Sequence, residues 1–91
     1  ILFMTPLHRC SEDDVSKENG LPEETNLAGY VSIIREVAEF YGLPVLDLFS
    51  TSGLQPKVDI IKETYMPDGL HPSDAGALRI AQRLMGFLQT L

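Results

Sequence analysis

Two apolar runs separated by one amphipathic stretch limit what this chain can fold into. Residues 1–5, Ile-Leu-Phe-Met-Thr, are apolar up to Thr5 and are stopped by Pro6. Residues 45–49, Val-Leu-Asp-Leu-Phe, form the second run and lead into the turn-rich Ser50, Thr51, Ser52 and Gly53. Apolar side chains at successive positions are what a strand covered on both faces needs, as in a parallel sheet. Between the runs, Asn26 is placed as an N-cap. Leu27, Tyr30, Val31, Ile34, Val37, Ala38 and Tyr41 then recur at helical spacing, with Arg35, Glu36 and Glu39 on the other side. Gly42 offers the left-handed residue that ends a helix, and Pro44 prevents its continuation. Strand, helix and strand in that order predict a right-handed parallel crossover, and so an α/β fold.

The remaining segments are punctuated more loosely. Residues 7–25 are polar and acidic, with Gly20 and Pro22, and predict a long loop. Residues 58–63 predict a helical turn or two. Ser73 caps a final helix running to about Gln89, with Ala77, Leu78, Ile80, Ala81, Leu84, Met85, Leu88 and Leu91 as its apolar set. A two-stranded parallel sheet has little core and open edges on both sides. More sheet is therefore expected beside the first strand, from an upstream segment or from a second copy.

Composition narrows the functional classes. A chain of 91 residues, 44% hydrophobic and 22% charged, is too apolar for a disordered segment. It buries only about 60–65% of its unfolded surface, which allows one domain or part of one. The net charge of −6 argues against a nucleic-acid surface. Glu12, Asp13, Asp14, Glu18, Glu23 and Glu24 crowd one loop against Lys17 and read as a solvated segment. No apolar run approaches the ~20 residues of a membrane span. Cys10 is the one cysteine, so no internal disulfide forms, and it is expected to be a small buried or half-buried hydrophobe.

Chemistry concentrates in residues 66–73, Met-Pro-Asp-Gly-Leu-His-Pro-Ser, which run into the last helix. Asp68 and His71 stand three residues apart on a Gly/Pro-rich turn. That suits a general base with its orienting acid, but from spacing alone a turn aspartate and a histidine near a helix start fit equally. Ligands of parallel α/β sheets bind at the carboxyl ends of the strands. Three stretches arrive there: residues 6–9, residues 50–53, and the turn with Asp68 and His71. His8 and Arg9 are thereby candidate substrate contacts, or polar residues of a solvated loop. Asp74 reads as a first-turn residue interacting with the helix dipole, and Asp47 is given no role. A metal held by Asp68, His71 and Asp74 or His8 lacks any spacing signature, so neither metal nor cofactor is expected.

Taken in order, residues 68–76, Asp-Gly-Leu-His-Pro-Ser-Asp-Ala-Gly, and the amphipathic helix after them resemble the last signature block of the SGNH (GDSL) hydrolases. Residues 5–9 after an apolar strand, the helix from Tyr30 to Tyr41, and residues 44–48 as the last strand support the likeness, which covers nearly the whole chain. The resemblance implies a partial flavodoxin-like three-layer fold, with two parallel strands and flanking helices. Residues 1–91 would be the C-terminal segment of a single such domain, its nucleophile-bearing N-terminal half absent. It implies that His71 is the general base and Asp68 its orienting acid. The activity would be hydrolysis of small carboxylic esters, of acetylated-carbohydrate or lipid type, without a cofactor. The family's serine in a Gly-Asp-Ser block, and the Gly and Asn of its oxyanion hole, have no match here. Ser11, Ser16, Ser32, Ser50, Ser52 and Ser73 all lack that context, so the chain by itself is expected to be catalytically silent. The other reading is a non-catalytic α/β binding or assembly module in which Asp68 and His71 are structural.

Overall fold

The computed structural model describes residues 1–10 and 26–91. The order is β1 (Phe3–Met4), α1 (Leu27–Tyr41), β2 (Val45–Leu46), α2 (Leu48–Thr51), α3 (Asp59–Tyr65) and α4 (Asp74–Gln89). It is a small α/β fold of two parallel strands and four helices. Phe3 stands opposite Val45 and Met4 opposite Leu46. Phe3 N donates to Pro44 O and Thr5 N to Leu46 O, both at 3.0 Å, which fixes the register at each end.

Local chemistry explains the helix limits. Asn26 Oδ1 accepts the Gly29 amide at 2.9 Å, satisfying one of the amides left unpaired in a first turn. Gly42 takes the left-handed conformation at φ 67°, so Leu43 N reaches back to Ala38 O at 2.8 Å. At the start of α4, Ser73 Oγ accepts the Gly76 amide at 3.2 Å, and Asp74 lies in the first turn as expected.

Two strand expectations need correction. The second run is a strand only at Val45–Leu46, after which the chain turns into α2. Asp47 is the cause. Its carboxylate accepts the Ser50 amide at 3.1 Å, and its carbonyl accepts Thr51 N at 3.0 Å and Thr51 Oγ1 at 2.6 Å. A side chain that caps its own backbone draws the chain out of the sheet. The first run is likewise shorter, and it is not covered on both faces: Phe3 is 37% exposed and Met4 48%. Among the described residues β2 is its paired strand, and no strand pairs with its other edge. The short helix expected over 58–63 runs instead over Asp59–Tyr65. The acidic loop, residues 12–24, lies outside the described residues.

The buried hydrophobic residues are Val31 and Ala38 of α1, Leu46 of β2, Leu48 of α2, and Leu54 and Met66 from the connections. They come from α1, β2, α2 and the connections, so the buried apolar set is small. Only part of each apolar helix face contributes. Tyr30, Ile33, Val37, Phe40 and Tyr41 of α1 are exposed, as are Leu78, Met85 and Leu88 of α4. No described helix is long and apolar enough to cross a membrane.

The joint between α3 and α4 carries the residues of chemical interest and is closely packed. Arg79 of α4 lies over the Tyr65 ring, 5.6 Å from its centroid, and donates from Nη2 to the Tyr65 hydroxyl at 3.3 Å. Gly76 is forced here by space: a Cβ on it would stand 2.5 Å from Tyr65 O and 2.9 Å from Pro72 Cβ. Gly76→Ala gains about 1 kcal/mol of helix propensity. It meets an overpacking cost of about 1–3 kcal/mol, at the upper end because one obstacle is backbone. A net loss is expected, read as a lower urea midpoint with unchanged slope. An alanine variant more stable than the parent would show that the joint opens freely.

Candidate functional site

The two parallel strands deliver two loops to one rim, as the sheet geometry requires. From β1 come Thr5, His8, Arg9 and Cys10; from β2 come Asp47 and the first turn of α2 with Phe49. Thr5, 2% exposed, ties these loops together. Its hydroxyl donates to Asp47 Oδ1 at 3.0 Å and accepts the Phe49 amide at 3.0 Å. Arg35 of α1 stands 3.5 Å from Asp47 Oδ2. Partial burial of Asp47 opposes its charge. The Ser50 amide, the Thr5 hydroxyl and the Arg35 guanidinium outweigh that and hold its carboxyl below the usual value. Asp47, given no role from sequence, therefore caps α2 and locks the rim. The available signal was an Asp three residues before Ser50, an N-cap spacing.

His8 stacks on Phe49, with ring centroids 3.6 Å apart and planes at 26°. Lys57 Nζ donates to Arg9 O at 2.7 Å. His8 and Arg9 thus belong to a supported loop at the strand ends. Cys10 corrects the sequence reading: it is exposed, not buried. Its position is set by main-chain chemistry. Cys10 N donates to Gly69 O at 2.9 Å and its Sγ donates to Pro56 O at 3.0 Å. Through that first bond the tip of the β1 loop meets the turn that carries Asp68 and His71.

Within the turn the acid and the imidazole are in direct contact. His71 Nδ1 lies 2.7 Å from Asp68 Oδ2. Asp68 Oδ1 accepts the amides of Leu70 at 2.8 Å and of His71 at 2.6 Å. Gly69 at φ 77° makes the turn possible, and its amide donates to Met66 O at 2.8 Å. A side chain at position 69 would be strained by that φ and would meet Cys10 Cβ at 2.9 Å. Beneath the turn, Met66 is fully buried.

The His71 amide, its imidazole and the Leu70 amide hold the Asp68 carboxyl far below the usual carboxylate range. An ionised Asp68 is an acceptor only, so Nδ1 of a neutral His71 carries the ring proton and Nε2 keeps its lone pair. The pair can orient an imidazole and take a proton at Nε2. Both side chains are open to water, His71 at 75% and Asp68 at 56%. In that setting the field of the carboxylate is screened by solvent.

The acid dependence of stability follows from the direction of these shifts. A carboxyl whose folded pKa lies below its unfolded value contributes stability that is present above the ordinary value, near 4, and lost as pH falls through the lowered one. Asp68 and Asp47 both act in this direction. The melting temperature is expected to be flat above about pH 4 and to fall below it. Asp68→Asn should flatten that fall. An unchanged acid limb in the variant would show that the turn contributes nothing to it.

The sequence candidates Asp68 and His71 are brought together, and His8 and Arg9 share their rim through the Cys10–Gly69 bond. Among the serines, Ser11 and Ser16 lie outside the described residues. Ser32 is exposed on α1, Ser52 is 1% exposed beneath the surface, and Ser73 is held in the α4 cap. Among the described residues no group of three or more His, Cys, Asp or Glu side chains is placed to hold a metal ion.

No family model matches the chain. No curated protein matches it either. It is similar to a solved crystal structure at 35% sequence identity and a TM-score of 0.78, over 99% of its own length. This chain spans 42% of that neighbour's length, so the shared α/β unit is less than half of the larger molecule.

Proposed function

We propose that this chain supplies the acid and the base of a Ser-His-Asp ester hydrolase with a flavodoxin-like, SGNH-type fold. The observation that carries the reading is the 2.7 Å contact between His71 Nδ1 and Asp68 Oδ2, on a turn held by the strand-end rim. The nucleophilic serine comes from a segment beyond these residues, the N-terminal half of the same domain, and that half or a second copy covers the open edge of β1. The exposed Phe3 and Met4 and the apolar stripe of α1 support such a covering.

The chemistry is acyl transfer. The serine hydroxyl attacks the ester carbonyl carbon as His71 Nε2 takes its proton, and the carbonyl electron pair moves to oxygen. When the tetrahedral intermediate collapses, the carbon–oxygen bond to the alcohol breaks and imidazolium returns the proton to the leaving alkoxide. Water, deprotonated by the same Nε2, then attacks the acyl carbon; the carbon–oxygen bond to serine breaks, imidazolium returns the proton to the serine oxygen, and the carboxylic acid is released. Asp68 holds the tautomer and stabilises the imidazolium without itself taking the proton. No cofactor enters the balance. In this reading His8 and Arg9 contact the substrate, a small ester of the acetylated-carbohydrate or lipid type.

The test is hydrolysis of p-nitrophenyl acetate by the 91-residue chain and by a longer polypeptide that carries it. The short chain is expected to be silent and the longer one active, with activity abolished by His71→Ala. Turnover that survives His71→Ala would leave the non-catalytic α/β binding or assembly module as the better reading.

A further inference from the structure

The turn that carries Asp68 and His71 is closed at its base by one side chain whose bonds exceed what a helix cap requires. Ser73 N donates to Tyr65 O at 2.7 Å, and Ser73 Oγ donates to Thr64 O at 2.8 Å while accepting the Gly76 amide at 3.2 Å. A cap needs only the acceptor. The donated bond does something else: it reaches a carbonyl in the last turn of α3, where helical partners run out. One hydroxyl thereby joins the end of α3 to the start of α4, and residues 66–72 leave and return through that joint. The absence of a Cβ at Gly76 lets the two helix ends approach.

We propose that Ser73 is a positioning residue for His71, latching the base of the turn so that the imidazole stays on the Asp68 carboxylate. This rests on the reading of Asp68 and His71 as a catalytic pair. Ser73 touches neither substrate nor the reacting atoms. It acts through the turn, which is otherwise fixed at its tip by the Cys10–Gly69 main-chain bond. Without the latch, the base of the turn keeps the Ser73 N–Tyr65 O bond but loses its side-chain tie, and His71 samples positions away from Asp68.

Substitutions can separate the cap from the latch. Aspartate and glycine both serve as N-caps, but an ionised aspartate cannot donate and glycine has no side chain to donate from. Threonine keeps both functions. The readout is the tautomer ratio of neutral His71 from its ring ¹⁵N shifts in the 91-residue chain, with α4 helicity followed by circular dichroism. Ser73→Thr is expected to match the parent. Ser73→Asp and Ser73→Gly are expected to keep α4 while shifting the ratio roughly tenfold toward the Nε2–H form, the scale of one lost hydrogen bond. In the longer active polypeptide the same two variants should lower kcat roughly tenfold with KM unchanged. An unshifted ratio in both variants would make Ser73 a cap and nothing more. If the aspartate variant does not fold, the glycine variant decides; failure of both to fold would assign Ser73 to the fold and overturn the proposal. A shifted ratio in a protein whose turnover ignores His71→Ala would instead sink the catalytic reading and leave the latch standing.

Discussion

Asp68→Asn is expected to lower ester turnover by about 10,000-fold while leaving the turn in place. The two amides that Asp68 Oδ1 accepts, from Leu70 and His71, can still be accepted, more weakly, by an asparagine oxygen. What asparagine cannot do is accept from His71 Nδ1. Its NH₂ would instead donate there, which moves the ring proton to Nε2 and removes the lone pair that should receive the serine proton. Asp68→Ala differs in kind, because it also strips the two amides of their acceptor and loosens the turn. The pair of variants therefore separates orientation from architecture. Both should be nearly inactive, but only the alanine variant should abolish the hydrogen bonds of the His71 and Leu70 amides, read as loss of their protection from exchange. The check is kcat on p-nitrophenyl acetate beside amide hydrogen exchange. An asparagine variant within tenfold of the parent rate would deny Asp68 the orienting role.

Met66→Ala is expected to cost about 2–5 kcal/mol. Met66 is among the largest fully buried side chains, in a core with few residues of its size. A chain of this length is stable by only about 5–15 kcal/mol, so the loss removes a large part of the total. At about 4–8 °C per kcal/mol the melting temperature should fall by about 8–40 °C. Met66 also begins the turn, donating to Lys62 O at 3.0 Å and accepting from Gly69 N at 2.8 Å. The cavity would therefore open at the base of the turn that carries Asp68. Urea unfolding measures the cost, and a loss under about 1 kcal/mol would mean that the surrounding side chains collapse into the space.

The parts of the fold legible from sequence are those with local causes. Asn26, Gly42 and Ser73 set helix ends through bonds to residues within a few positions, and such bonds depend on residue type. The contact between Asp68 and His71 was legible for the same reason, since three residues of turn keep the two together. Residues 45–49 were misread because a short apolar run serves a strand or a helix alike, and the Asp47 cap decides between them. Cys10 was misplaced because its burial is decided by a main-chain bond to a distant turn. The Ser73 bond to Thr64 O and the Lys57 bond to Arg9 O were invisible because their acceptors are carbonyls that every residue owns.

The bond at the tip of the turn has a consequence for how such chains diverge. Position 10 contributes its amide to Gly69 O, and any residue except proline carries one. Position 69 has no such latitude, because its φ of 77° and the nearby Cys10 Cβ both ask for glycine. Over evolutionary drift the two ends of one hydrogen bond should therefore vary at very different rates. The cysteine would be replaced freely while the glycine stays, so neither a cysteine nor a paired pattern of substitutions would betray that these two loops are joined.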